Sequence, residues 1–217
     1  AFESWKPEGG QRITMCVDPA FRHGGDAWAV SVVSVGKDTA WHVMHAKKDK
    51  TGTQGWLDEM ASCAGKYPRI LTVGIESGGG QASLEYSVED FLRRRGLILP
   101  ITWIKHPPHK GKGKSARIAQ LSPLINTGRL TLQPDLESLY REIEAYRAGD
   151  DNQEDHLLDS LSMHLEVQTA RTPFELPIET PEQIRSRRFR AYERVWQNVR
   201  QKRTGHGASH WDRYLDG

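Results

Sequence analysis

The sequence predicts a mixed α/β domain: a central sheet that opens with three antiparallel strands, continues with parallel ones and carries helices on its flanks. Three observations predict it. Apolar or alternating runs rich in Val, Trp and Thr come first, and short polar or glycine-containing connections put them in hairpin order. After them, strand-like and helix-period segments alternate, which is the pattern of a sheet extended by crossovers.

Each element has its own justification. Residues 13–17, 28–35 and 39–46 are the hairpin-ordered strands, with VGKDTA between the second and third. Residues 53–65 place Trp56, Leu57, Met60 and Ala64 at helical spacing behind Thr53, a candidate cap. RILTVGIE follows as a compact strand over 69–76. SLEYSVEDFLRRRG at 83–96 reads as a helix ended by Gly96, and LILPITWIK at 97–105 as another strand. A helix over 115–126 is interrupted near Pro123; then come a short strand RLTL, a helix at about 135–147, and HLLDSLSMHLEVQTA as a helix from about 156. Residues 1–170 are thus expected to form the domain. Residues 171–217 are expected to be a proline-containing linker and a basic helix or tail, with Ile184, Tyr192, Val195 and Val199 as a sparse apolar stripe.

Composition excludes several classes. No window approaches the roughly 18 apolar residues of a membrane span, and AFESWKPEGGQR lacks the apolar core of a signal peptide, so a cytosolic protein is expected. The opening reads as a chain already under way, hence a segment of a longer protein. Cys16 and Cys63, the only cysteines, sit in a strand and a helix and offer neither a disulfide framework nor paired-thiol metal spacing. His106, His109, His206 and His210 lack a cysteine partner for zinc and are expected at the surface.

Net charge is only +2, yet the charges segregate. Lys105 to Arg117 holds five basic residues and no acid, whereas Asp135 to Asp159 holds nine acids against Arg141 and Arg147. An acidic pocket for divalent metal flanked by basic surface for a polyanion is the economical arrangement; solvated charged faces are the alternative.

The carboxylates sharpen this. Aspartate disfavours strands and burial, so Asp18 at the end of the first strand is either a turn former or a ligand. Glu76 ends the fourth strand. Asp159 lies among Leu157, Leu158, Leu161 and Leu165 on a helix expected to pack on the sheet, with His156 three residues before it on the same face. If the first and fourth strands are parallel neighbours, Asp18 and Glu76 emerge side by side. Oxygen ligands converging in this way repel one another, and Mg²⁺ or Mn²⁺ relieves the repulsion.

VDPA at 17–20 followed by GDAWAV, GIES at 74–77, GKGKSARI at 111–118 and EDHLLDSLSMH at 154–164 together resemble the nuclease domain of tailed-phage large terminase subunits. The resemblance covers roughly residues 10–170. It implies an RNase H-like fold and a metal-dependent endonuclease that cuts concatemeric double-stranded DNA during genome packaging. It makes Asp18, Glu76 and Asp159 the acidic triad, with His156 and Asp26 as further metal-side residues. Two ions about 3.5–4 Å apart, bridged by Asp18, are expected. Lys114 and Arg117 match the family's basic pair. The resemblance also implies a small terminase subunit and a portal protein as partners, an ATPase motor on the same full-length chain, and action in the host cytoplasm. The motor is not expected within these residues, because GQRIT and GKGKSARI fail the phosphate-loop spacing.

Glycines and lysines in HPPHKGKGKSAR, ahead of a helix start, suit phosphate contact, so Lys105, Lys110, Lys112, Lys114 and Arg117 are the expected DNA-binding residues. No base-reading element is evident, which implies little sequence specificity. The glycines at 78–80 permit close backbone approach to the acids. Two alternatives stay open: a resolvase- or transposase-like nuclease of the same fold, or a non-catalytic module that docks DNA or a portal.

Overall fold

The computed structural model describes residues 11–21, 24–67, 69–77, 81–105, 112–148, 150 and 153–169, excepting the side chains of residues 81, 82, 112 and 169. The expected basic helix beyond residue 171, the glycines at 78–80, Lys110 and the histidines at 106, 109, 206 and 210 lie outside the described residues.

Six strands form one sheet in the order β5-β4-β1-β2-β3-β6. β1 (Arg12–Asp18), β2 (Trp28–Val35) and β3 (Trp41–Asp49) pair antiparallel in succession. β4 (Ile70–Glu76) adds parallel to β1, β5 (Ile101–Ile104) parallel to β4, and β6 (Leu130–Leu132) parallel to β3 on the far edge. The helices are α1 (Gly52–Lys66), α2 (Gln81–Arg94), α3 (Lys112–Ala119), α4 (Ser122–Asn126), α5 (Glu137–Ala145), α6 (His156–Ser162) and α7 (His164–Thr169). This is the mixed sheet with flanking helices that the sequence predicts.

Two cores sandwich the sheet. Met15, Val17, Val30, Val32, Val73 and Ile75 meet Trp56, Leu57 and Met60 of α1 and Val88 and Phe91 of α2 on one face. Ala29, Val33, Val35, Trp41 and Val43 meet Ile118, Leu139, Leu157, Leu158 and Leu161 on the other. Covering both faces explains why β2 is buried along its whole length and why its run WAVSVVSV does not alternate cleanly. Its serines are hydrogen-bonded: Ser34 donates to Gln11, and Ser31 bonds Ser160 of α6 at 2.7 Å.

Several boundaries differ from the sequence reading for identifiable reasons. β5 starts only at Ile101, because Pro100 has no N–H to give a ladder; its carbonyl instead accepts from Val73 N at 2.8 Å. α1 is preceded by Thr51, whose hydroxyl accepts the Trp28 indole N–H rather than capping the helix. Gly96 ends α2 as expected, at φ +63°, with Leu97 N bonding back to Leu92 O. The last helix divides at Met163, and the fully buried His164 ring just beyond bonds Thr14 of β1 and Ser31 of β2. Burial pushes the His164 pKa down to about 3, so the ring is neutral.

α6 receives its N-terminal satisfaction from another helix. Asp155 precedes it without a side-chain cap, and Glu142 of α5 accepts from Leu157 N at 2.9 Å and Leu158 N at 3.1 Å. Lys48 of β3 pairs with the other oxygen of Glu142 at 2.7 Å. Glu142→Ala would strand two buried amides and leave the Lys48 ammonium with Glu154, its other partner at 2.7 Å, and should lower unfolding free energy by on the order of 3 kcal/mol in urea titration. A loss below about 0.5 kcal/mol, the level of an ordinary surface change, would contradict this role for Glu142.

Candidate metal centre

The period of two along β1 and β4 sorts their residues onto the two faces. Met15, Val17, Val73 and Ile75 enter the α1/α2 core, so Asp18 and Glu76 turn toward the face that carries α6 and α7. The parallel register Val17↔Ile75 brings the next residues, Asp18 and Glu76, alongside each other. Gly74 makes room behind them: a Cβ there would lie 2.6 Å from Val167 of α7 and 2.8 Å from Ile104 of β5. From above, α6 lowers Asp159 onto the pair, held by the leucines at 157, 158 and 161 in the second core. One carboxylate oxygen from each of Asp18, Glu76 and Asp159 lies within 4.8 Å of the others.

Such crowding has an electrostatic signature. Burial pushes the Asp18 carboxyl above its usual range; Asp159 adds to the shift, while His156 and Lys114 oppose it. Glu76 is driven up to about 7, first by burial and then by Asp18 and Asp159. Asp159 is 3% exposed. It accepts from Arg117 Nη2 at 2.6 Å and sits 3.5 Å from Lys114 Nζ. Lys114 also pairs with Asp155 at 2.7 Å. Burial works against the Lys114 ammonium, but Asp159, Asp155 and Asp18 outweigh it and hold its pKa above normal. His156 Nδ1 stands 3.7 Å from Asp18 Oδ2, a charge contact longer than a hydrogen bond, and Asp18 raises its pKa despite burial.

The expected residues therefore divide. Asp18, Glu76 and Asp159 gather, with His156 beside Asp18. Asp26 is exposed in the turn before β2 and is not one of the three converging carboxylates. Lys105 is exposed at the end of β5, and Lys112 begins α3. Lys114 and Arg117 face the acids from α3, and buried Arg117 Nε has no hydrogen-bond partner among the described residues. Asp155 escaped the sequence reading although it stands four residues before Asp159, one helical turn away. So did Glu166 of α7, whose pKa is raised by burial and by Asp159 against Arg117.

The donor set is chemically suited to a hard divalent cation. It is all oxygen and carries up to three negative charges, and two of its members are held protonation-prone by burial and mutual repulsion, which a bound cation would reverse.

Comparison with known proteins identifies the family. The family model described as the terminase RNase H-like domain matches residues 15–167, more than half of the chain. The nuclease domain of the large terminase subunit gp2 of bacterial virus Sf6 is similar in fold, at 16% identity and a TM-score of 0.50, over 80% of this chain and 91% of that one. A single-residue mutant of that domain has been solved with manganese and β-thujaplicinol. The fowlpox virus Holliday junction resolvase matches at 12% identity and a TM-score of 0.48, over 73% of this chain and 98% of that one. The HK97 bacteriophage large terminase matches at 12% identity and a TM-score of 0.40, over 56% of this chain and 30% of that one. No curated protein matches the sequence. With most of its length, including Asp18 and the whole of β4 and α6, inside the matched region, the chain belongs to the terminase RNase H-like domain family.

Proposed function

We propose that this chain is a divalent-cation-dependent endonuclease that hydrolyses phosphodiester bonds of double-stranded DNA during viral genome packaging. The observation that carries the reading is the convergence of Asp18, Glu76 and Asp159 at one sheet edge. In this reading these three hold Mg²⁺ or Mn²⁺, two ions being the expectation, with Asp18 central. When bound, the metal supplies an activated water nucleophile and stabilises the departing oxygen.

The chain's own groups do the rest. Arg117 and Lys114 neutralise Asp159 and Asp155 while no other cation is present, which makes the buried charge tolerable. With a metal held by Asp18, Glu76 and Asp159, the Arg117 guanidinium and Lys114 ammonium would be less needed by Asp159 and could turn to phosphate oxygens; buried Arg117 Nε has no hydrogen-bond partner among the described residues. His156, whose pKa is raised by Asp18, stands at the same rim. Lys105, Lys110 and Lys112 precede or begin α3 and would hold the backbone of the duplex without reading bases. In a full-length subunit a motor, a small terminase subunit and a portal would deliver DNA to this site in the host cytoplasm. Among the described residues no helix is long and apolar enough to cross a membrane.

The direct test is cleavage of supercoiled plasmid with and without Mg²⁺ or Mn²⁺. Wild type should nick or linearise DNA only with metal. Asp18→Asn, Glu76→Gln and Asp159→Asn should each lose more than the roughly 10–100-fold typical of disturbing an outer-sphere partner. Normal cutting by Asp18→Asn, or undiminished cutting in chelator, would refute the assignment. Preference for four-way over linear DNA would instead favour a resolvase.

Proton linkage gives a second test. The raised pKa means that folded Glu76 retains its proton up to about pH 7, whereas the unfolded carboxyl loses it near the ordinary glutamate value of 4.5. This group's contribution to apo stability is therefore full below pH 4.5 and is lost as pH rises toward 7. Metal needs the ionised form, so affinity should climb with pH up to about 7, roughly tenfold per unit for one proton released, and Glu76→Gln should flatten that slope. Calorimetry in buffers of different ionisation enthalpy counts the proton; zero release would contradict the scheme.

Salt dependence tests the basic strip. Binding to duplex DNA should weaken linearly in log–log salt plots. Lys105→Ala and Lys110→Ala should each reduce the slope by about 0.9 if the residue contacts one phosphate. A slope unchanged in both variants would remove them from the interface.

A further inference from the structure

A second set of metal-binding side chains lies on the opposite face of the sheet. β3 carries a bulge: Val32 pairs with His45 and Val33 with Val43, leaving Met44 as the extra residue. Before the bulge, Trp41 and Val43 enter the core shared with α5 and α6. After it, the alternation is switched, and His45 and Lys47 turn to α1. On α1, Glu59 and Cys63 are four residues apart and so share one helix face. One ligand atom from each of His45, Glu59 and Cys63 lies within 4.8 Å of the others.

His45 Nε2 is a buried atom that stands 2.9 Å from Glu59 Oε1, within ion-pair distance, without the alignment of a hydrogen bond among the described residues. A buried ring nitrogen, a carboxylate oxygen and a thiol brought this close together are a donor set that a metal ion can bind. We propose that His45, Glu59 and Cys63 form a second cation site, for a borderline-soft transition ion such as Zn²⁺, that clamps α1 to the bulged strand β3.

The donor chemistry distinguishes this site from the acidic triad. Nitrogen, sulfur and oxygen ligands select Zn²⁺ over Mg²⁺, whereas three carboxylates do the reverse. Bond lengths of about 2.0–2.3 Å put tetrahedral donors roughly 3.3–3.8 Å apart, so the 2.9 Å between His45 and Glu59 would open slightly within a group whose ligand atoms all lie within 4.8 Å of one another. Water would complete the fourth position. Burial pushes the Cys63 thiol up to about 12, so without metal it is protonated and inert. On binding, the thiol proton leaves to solvent as the metal–sulfur bond forms. Burial lowers the His45 pKa and keeps the ring neutral, the form that binds metal. Lys47 pairs with Oε2 of Glu59, leaving Oε1 to face the histidine.

The experiment is a Zn²⁺ and Co²⁺ titration of the chain carrying Asp18→Asn and Glu76→Gln, which disables the triad and makes the outcome independent of nuclease activity. One equivalent of Zn²⁺ should bind and raise the melting temperature, and Co²⁺ should produce a thiolate-to-cobalt charge-transfer band. Cys63→Ser should abolish the band, and His45→Gln, at a partly exposed position, should weaken binding at least tenfold. Circular dichroism without metal checks that both variants fold; should Cys63→Ser not fold, the His45→Gln result decides. Absence of the band in the triad-disabled chain overturns the proposal. Its persistence in folded Cys63→Ser, which would transfer it to Cys16, does so equally.

Discussion

The parallel pairing of β1 with β4 is the constraint on which the acidic site depends. Asp18 and Glu76 are far apart in sequence, and neither strand by itself says where its last residue goes. Once Val17 is opposite Ile75, the shared period of two points both carboxylates to one face and one edge. Shifting that register by one residue would turn one of them into the α1/α2 core, where Met15, Val17, Val73 and Ile75 leave no polar partner. The apolar residues of the two strands thus enforce a close approach of charges that Coulomb repulsion opposes.

That approach needs compensation, and the chain provides it from the same helices that form the other face. α6 brings Asp159, while α3, which packs beside it, brings Arg117 and Lys114. Basic and acidic segments that are separate in sequence are therefore neutralised against each other in space. The cations limit the cost of burying the carboxylates, and the raised pKa values of Asp18 and Glu76 register what they leave uncompensated. A site in this condition could hold a divalent cation, which would remove the residual repulsion.

Placing Asp159 accurately requires that α6 not slide. Two polar anchors oppose sliding. Glu142 holds the helix N-terminus, and on the sheet side Ser160 bonds Ser31 and the carbonyl of Cys16, while His164 joins Thr14 and Ser31. Apolar contact alone tolerates small translations; buried hydrogen bonds do not, because a displaced donor or acceptor is left unsatisfied. The serines in DSLS and SVVS, unexceptional as sequence, are thereby part of what fixes the geometry of the acidic site.

The sequence by itself determined the elements and the identity of the three acids. Hydrophobic period, glycine ends and hairpin spacing mark the strands and helices. Asp18, Glu76 and Asp159 stand out because each is a carboxylate where a strand end or an apolar helix face makes charge expensive. Tertiary structure alone decided what meets what. That Arg117 and Lys114 turn inward to Asp159 and Asp155, that Glu142 caps a helix not its own, and that a bulge at Met44 aims His45 at Glu59 and Cys63 all depend on pairings between segments distant in the chain. Local patterns record only how each segment prefers to bury itself; strand register and helix docking, which set distances between side chains, arise from the packing of all segments together.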